Sequence, residues 1–105
     1  MGLFGFGKPK QDGDRLLIDV IEHNADRIVQ SEGKPRSEGI YLAVCLVYDD
    51  LSKRPNGQAG RQALMRILQS RYPEQINDVV TYVAWSSGQI ALKPEFEAEL
   101  IARHK

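Results

Sequence analysis

The segment Ile40–Tyr48, which reads IYLAVCLVY, is the longest unbroken apolar run in the chain and decides between the possible folds. Because it is apolar on every side, a helix here belongs at the centre of a small bundle or at an interface. Its isoleucine, valine and tyrosine content also suits a buried strand, and periodicity alone does not separate the two. The pattern extends to Leu51 and beyond, which favours a helix.

The sequence on either side of this run predicts further helices. Apolar residues recur at a spacing of three to four between Asp14 and Ser31, and Gly33 with Pro35 supplies a stop signal. The same reasoning predicts helices over residues 58–72, 73–86 and 94–105. The prediction is therefore an all-α fold, a compact bundle of four to five helices. The apolar residues of its first helix are Leu16, Leu17, Val20, Ile21, Ile28 and Val29.

An α+β fold is the alternative prediction. It has a central strand near 40–48 and a β-hairpin near 78–93. The two folds treat Trp85 differently. In the hairpin Trp85 packs in the core, whereas in a helix it points about 180° away from Ile76 and is exposed. An exposed Trp85 with Tyr82 nearby predicts a surface for self-association or for a protein partner.

The length of 105 residues is that of one domain. Residues 14–105 are predicted to form a single helical domain after a flexible, glycine-rich leader at 1–13. Leu3, Phe4 and Phe6 in this leader predict at most weak peripheral contact with a membrane. The nine residues of Ile40–Tyr48 are about half of the roughly 18 that suggest a membrane-spanning helix.

The overall charge disfavours a globally basic nucleic-acid binder, because 14 Lys and Arg cancel 14 Asp and Glu. The local balance differs, since no acidic residue lies between Leu51 and Pro73. This segment predicts, as the alternative function, phosphate contacts in a nucleic-acid-associated protein. Its three helical arginines are five residues apart, which turns each about 140° from the last, so they form no single stripe. The basic residues are Lys53, Arg54, Arg61, Arg66 and Arg71.

No pattern of catalytic, cofactor-binding or metal-ligating residues stands out. Cys45, the one cysteine, lies in the apolar run, where a thiol resists ionisation, and it indicates a reducing compartment such as the cytoplasm. His23 has the spacing of a surface residue, and His104 is predicted to fray near the end of the sequence. We therefore expect no enzyme and no cofactor, but a small intracellular interaction or regulatory module that self-associates as a homodimer.

Overall fold

The computed structural model describes residues 9–104, with side chains from residue 13 onwards, and this part of the chain contains five α-helices and no strand. A 3₁₀ turn at Pro73–Gln75 precedes the fourth helix. The all-α prediction is confirmed, and the strand and hairpin of the alternative are wrong, because 40–48 lies within one helix and 78–86 within another. The helices are α1 (Pro9–Glu32), α2 (Arg36–Ser52), α3 (Gln58–Arg71), α4 (Ile76–Ser86) and α5 (Pro94–Arg103).

Helix α2 is the centre of the bundle and contacts α1, α3 and α4. Most of its apolar run is buried, as expected for a helix that is apolar on every side. The exceptions are Leu46, which is 54% exposed, and Tyr48, which is partly buried. The buried residues of α2 are Gly39, Ile40, Tyr41, Leu42, Ala43, Val44, Cys45 and Val47.

Helix α1 begins at Pro9, five residues before the predicted start at Asp14. Proline suits the first helical position because its missing N–H has no partner there in any helix. Residues 9–13, which were assigned to the leader, are therefore the first turns of α1. The predicted membrane contacts of Leu3, Phe4 and Phe6 lie outside the described residues. At the other end, Gly33 (φ +65°) donates its N–H to the carbonyl oxygen of Val29 at 3.0 Å, which confirms the stop signal.

Helices α1 and α2 run antiparallel and approach closely at Gly39. A Cβ atom placed on Gly39 would lie 2.9 Å from Cγ2 of Val29 and 3.1 Å from the carbonyl oxygen of Ala25. Ala25 is itself fully buried, together with Ile21 one turn earlier. Small residues at this crossing let the two backbones come together, and the pair forms the hairpin on which the rest of the bundle packs.

Helices α3, α4 and α5 complete the core. Leu64 and Leu68 of α3 and Val79 of α4 are fully buried, while α5 buries Leu100. The segment 87–93 connects α4 to α5 without regular structure. None of the helices in the described part of the chain has the length and apolar character needed to cross a membrane.

Candidate functional site

The outer face of the α1–α2 hairpin carries an exposed apolar strip. Leu16 and Val20, one turn apart on α1, are 64% and 38% exposed, and Leu46 of α2 stands opposite them. They line a hollow of about 410 Å³ to which Leu17 and Val47 also contribute. Single exposed apolar side chains are ordinary, but two leucines and a valine that line one hollow form a local apolar surface. We call Leu16, Val20 and Leu46 the outer strip.

The hollow under the outer strip continues in both directions along α1. Toward the start of α3 it meets a second hollow of about 370 Å³, which shares Leu16 and Leu17 and is lined mainly by apolar surface. Toward the end of α1 it meets a third of about 470 Å³, which shares Asn24 and Leu46 and is more polar. The three hollows share lining residues and together form a shallow groove that is apolar in its middle and toward α3 and polar toward the end of α1. Ion pairs flank it, since Arg54 bonds Asp50 at 2.9 Å and Arg66 bonds Asp14 at 3.3 Å.

Sequence reasoning missed the outer strip because it assigned all apolar residues of α1 to one buried stripe. A signal was nevertheless present. Leu16 lies about 140° around the helix from Ile21, and Val20 about 100°, so the three cannot all face one narrow core contact. Ile21 is fully buried, which leaves Leu16 and Val20 on the outside.

The structure corrects the expected exposure of Trp85. Its indole Nε1 donates a hydrogen bond of 2.8 Å to Glu97 of α5, and the ring is partly buried against the core. Tyr82 is buried as well, and its hydroxyl donates to Oδ2 of Asp49 at 2.7 Å. Helix α5 covers the side of α4 that the sequence pattern left open. In the described fold, neither ring is therefore exposed as predicted, while partner binding by Tyr82 and Trp85 stays a prediction.

The predicted fraying at His104 is also wrong. Its imidazole stacks on the ring of Tyr82, with centroids 4.4 Å apart and planes inclined by 17°. Its Nε2 lies 2.8 Å from the hydroxyl of Tyr41. Aromatic stacking and this hydrogen bond hold the residue in place even though it follows the last helix.

Arg103, the preceding residue, binds α2 through several contacts. Its guanidinium donates to both carboxylate oxygens of Glu38 at 2.9 Å and lies 3.9 Å from the centroid of the Tyr41 ring. A longer contact of 3.4 Å reaches Asp78 of α4. The bond from Arg103 lowers the pKa of the Glu38 carboxyl, because it stabilises the ionised form. Arg103 thus connects α5 to both α2 and α4.

Cys45 is fully buried beneath this cluster. Burial raises the pKa of its thiol to about 12, since a thiolate is poorly solvated there. A thiol in this state is a poor nucleophile at neutral pH. Within the described residues, no group of three or more His, Cys, Asp and Glu side chains could hold a metal ion.

The structure does not gather the five predicted basic residues on one surface. Arg54 and Arg66 are paired with Asp50 and Asp14, as described above. Arg61 donates at 3.5 Å to the carbonyl oxygen of Leu51 and lines a hollow together with Lys53. Arg71 lies at the other end of α3, in a hollow it shares with Glu22. Nucleic-acid contact by these residues stays a prediction. Because the residues lie on separate faces of the bundle, one nucleic acid would have to reach around it to contact all five.

The fold and the outer strip define the chain as an all-α bundle with an exposed apolar groove. No protein-family model, no curated protein and no solved structure matches the chain.

Proposed function

We propose that the protein is a small, non-catalytic protein-interaction module that self-associates as a homodimer through the outer strip. The observation that carries the proposal is the exposure of Leu16 and Leu46, at 64% and 54%, above one continuous groove. Burying a leucine side chain that is now in water contributes roughly 1.5–3 kcal/mol. A partner that covers the strip would gain part of this energy at each apolar side chain, in proportion to the area that is still exposed.

The shape of this face suits a second copy of the chain. A two-fold interface requires one surface to offer both the protruding and the receiving parts, because each copy presents the same residues. Leu16 and Leu46 protrude from one copy, and the groove between α1 and α2 of the other copy can receive their side chains. A pair of such hairpins packed face to face is a four-helix arrangement, which is a common stable geometry.

Electrostatics also favour a second copy over a strongly charged partner. The formal net charge is zero, so two copies have no net repulsion at a distance. The ion pairs at the edges of the groove, Arg54 with Asp50 and Arg66 with Asp14, carry both signs. A mixed-charge rim around an apolar middle is the usual anatomy of a protein interface.

Sedimentation or light scattering across a dilution series tests the proposal. We expect a dimer for the unmodified protein and a monomer for Leu46→Glu, because the carboxylate would lose its hydration in the interface. Val80→Glu is the matched control, since Val80 is another exposed apolar residue, 44% exposed, on α4. It should remain dimeric. Circular dichroism should show the same helicity in all three proteins.

Two results would contradict the proposal. One is a monomer for the unmodified protein at every concentration in the series. The other is a dimer that Leu46→Glu leaves intact while Val80→Glu disrupts it, which would move the interface to α4. The alternative function has its own readout: binding of DNA or RNA that weakens with salt and is lost when Arg61, Arg66 and Arg71 are replaced by alanine.

A location in the cytoplasm belongs to the same proposal. It is supported by the presence of a single cysteine, Cys45, which leaves no intrachain disulfide to form. The non-catalytic character is supported by the environment of this residue, because the most nucleophilic side-chain type in the chain is buried with a raised pKa.

A further inference from the structure

Helix α5 is fastened to the bundle mainly by polar and aromatic contacts. Leu100 is its buried apolar residue, while Phe96 and Ile101 are 53% and 42% exposed. Apolar burial usually supplies most of the stability of a packed helix, and elements with little of it open at a low free-energy cost. The bonds of Arg103, His104 and Glu97 therefore carry much of the attachment.

These bonds are concentrated at the end of α5. Arg103 donates two hydrogen bonds to Glu38, and its guanidinium covers the ring of Tyr41. The Nζ of Lys34 lies 3.5 Å from the carbonyl oxygen of Arg103. His104 stacks on Tyr82 directly beside this contact. Bidentate hydrogen bonds between an arginine and a carboxylate require a specific geometry, so both bonds are lost together when the arginine moves away.

The connection to α4 permits such a movement. Six of its seven residues, 87–91 and 93, are exposed, and Leu92 is partly buried. Gly88 has a φ of +80°, a conformation that glycine adopts without strain. An exposed segment that contains glycine can change its backbone angles without breaking the core of α1, α2 and α3.

The surface beneath α5 is aromatic and encloses the only thiol of the chain. Tyr41 and Cys45 are each 1% exposed, and Tyr82 is 8% exposed. Tyr41 and Cys45 are one turn apart on α2. Arg103 and His104 cover the Tyr41 ring, so we expect their release to uncover Tyr41 and to open a route to Cys45 beside it.

We propose that α5 is a releasable latch: Arg103 and His104 hold it closed over Tyr41, Tyr82 and Cys45, and its release exposes this surface while α1, α2 and α3 stay folded. The latch is on a different face from the outer strip and does not depend on the dimer. In the closed state the surface is hidden, and in the open state Tyr82, one of the two partner contacts predicted from the sequence, becomes accessible together with Tyr41.

Modification of Cys45 by a maleimide under native conditions measures the opening. Arg103→Ala removes both bonds to Glu38 and should raise the modification rate by about tenfold or more, because hydrogen bonds between two charged groups are stronger than those between neutral groups. Arg66→Ala is the matched control. It breaks another arginine–carboxylate pair, the more exposed one with Asp14, which is distant from α5, and it should leave the rate unchanged.

Global unfolding also exposes Cys45, so the free energy of unfolding of each protein is measured with denaturant at the same time. A rate in Arg103→Ala that equals that of the unmodified protein overturns the proposal. The proposal is also overturned if the rate increases, but only by the amount that the measured loss in free energy of unfolding explains. A larger increase supports local release.

Hydrogen exchange gives a second measurement that needs no variant. The amides of α5 should exchange faster than those of α2 and α3, with protection lower by about a hundredfold or more if opening is local. Equal protection in α5 and α2 would mean that α5 leaves only when the whole bundle unfolds, and the latch would be disproved.

Discussion

His104 and Tyr82 stack with ring centroids 4.4 Å apart, which joins the residue after α5 to the centre of α4. Partial burial of the imidazole in this contact, together with the positive charge of Arg103, lowers the pKa of His104. Asp49 and Glu38 oppose the shift, and Lys34 adds to it. The charged groups near the ring are Lys34, Glu38, Asp49 and Arg103, and its aromatic neighbours are Tyr41 and Tyr82.

This shift predicts that stability falls in mildly acidic solution. A group whose pKa is lower in the folded state stabilises the fold above its unfolded-state pKa, and this contribution is lost as the pH falls through the folded-state pKa. The free energy of unfolding should therefore decrease between about pH 7 and about pH 5. His104→Phe should flatten this part of the curve, whereas His23→Phe, at an exposed position on α1, should retain it. Identical slopes for the unmodified protein and His104→Phe would contradict the prediction.

Replacing Gly57 even by alanine should strongly lower the free energy of unfolding. A Cβ atom at this position would lie 1.9 Å from the carbonyl oxygen of Leu51, a backbone atom that cannot rotate away. Gly57→Ala should lower the free energy of unfolding by about 1–3 kcal/mol or more. The matched control is Gly13→Ala. Nothing lies within 4 Å of a Cβ at Gly13 inside α1, so this change should stabilise the protein by about 0.5–1 kcal/mol. Chemical denaturation of both variants checks the signs, and a neutral Gly57→Ala would disprove the clash.

Two substitutions of Cys45 should lower the free energy of unfolding by different amounts, since one only removes volume and the other adds a charge. Cys45→Ala removes one sulfur atom from the core and should cost about 1 kcal/mol, while Cys45→Asp buries an unpaired carboxylate and should cost about 3 kcal/mol or more. Denaturant titration of the two variants measures the difference. Equal stability of the alanine and aspartate variants would mean that the site is accessible to water in the native state.

Trp85 is the single tryptophan, so its emission reports on the α4–α5 contact. Because Glu97 and the core cover the ring within one chain, the emission should be blue-shifted and should not change when the protein is diluted. Glu97→Ala frees the indole N–H and should shift the emission to the red. An emission that shifts on dilution of the unmodified protein would instead mean that a second copy covers Trp85.

The helices themselves could be predicted from the sequence. The spacing of Ile21, Ile28 and Val29 and the stop at Gly33 are local properties of a helical chain, and the helix and its end are correct in the structure. The central place of α2 followed from the same reasoning, because a helix without a polar face must be surrounded. The start of α1 was missed, since Pro9 and Gly13 were interpreted as features of a flexible leader.

The surfaces were decided by the tertiary structure. Leu16 is exposed because the opposite side of α1, which carries Ile21, faces the core. Leu46 is exposed because the neighbours of α2 lie on its other sides. Which face of a helix is buried depends on how helices that are distant in sequence pack. Trp85 and His104 were misplaced for the same reason, since only the position of α5 brings Glu97, Tyr41 and Tyr82 to them. The sequence by itself determined which segments are helical, because helix formation depends on neighbours three and four residues away. The fold alone decided which faces are covered, because burial depends on contacts between segments that the local pattern does not encode.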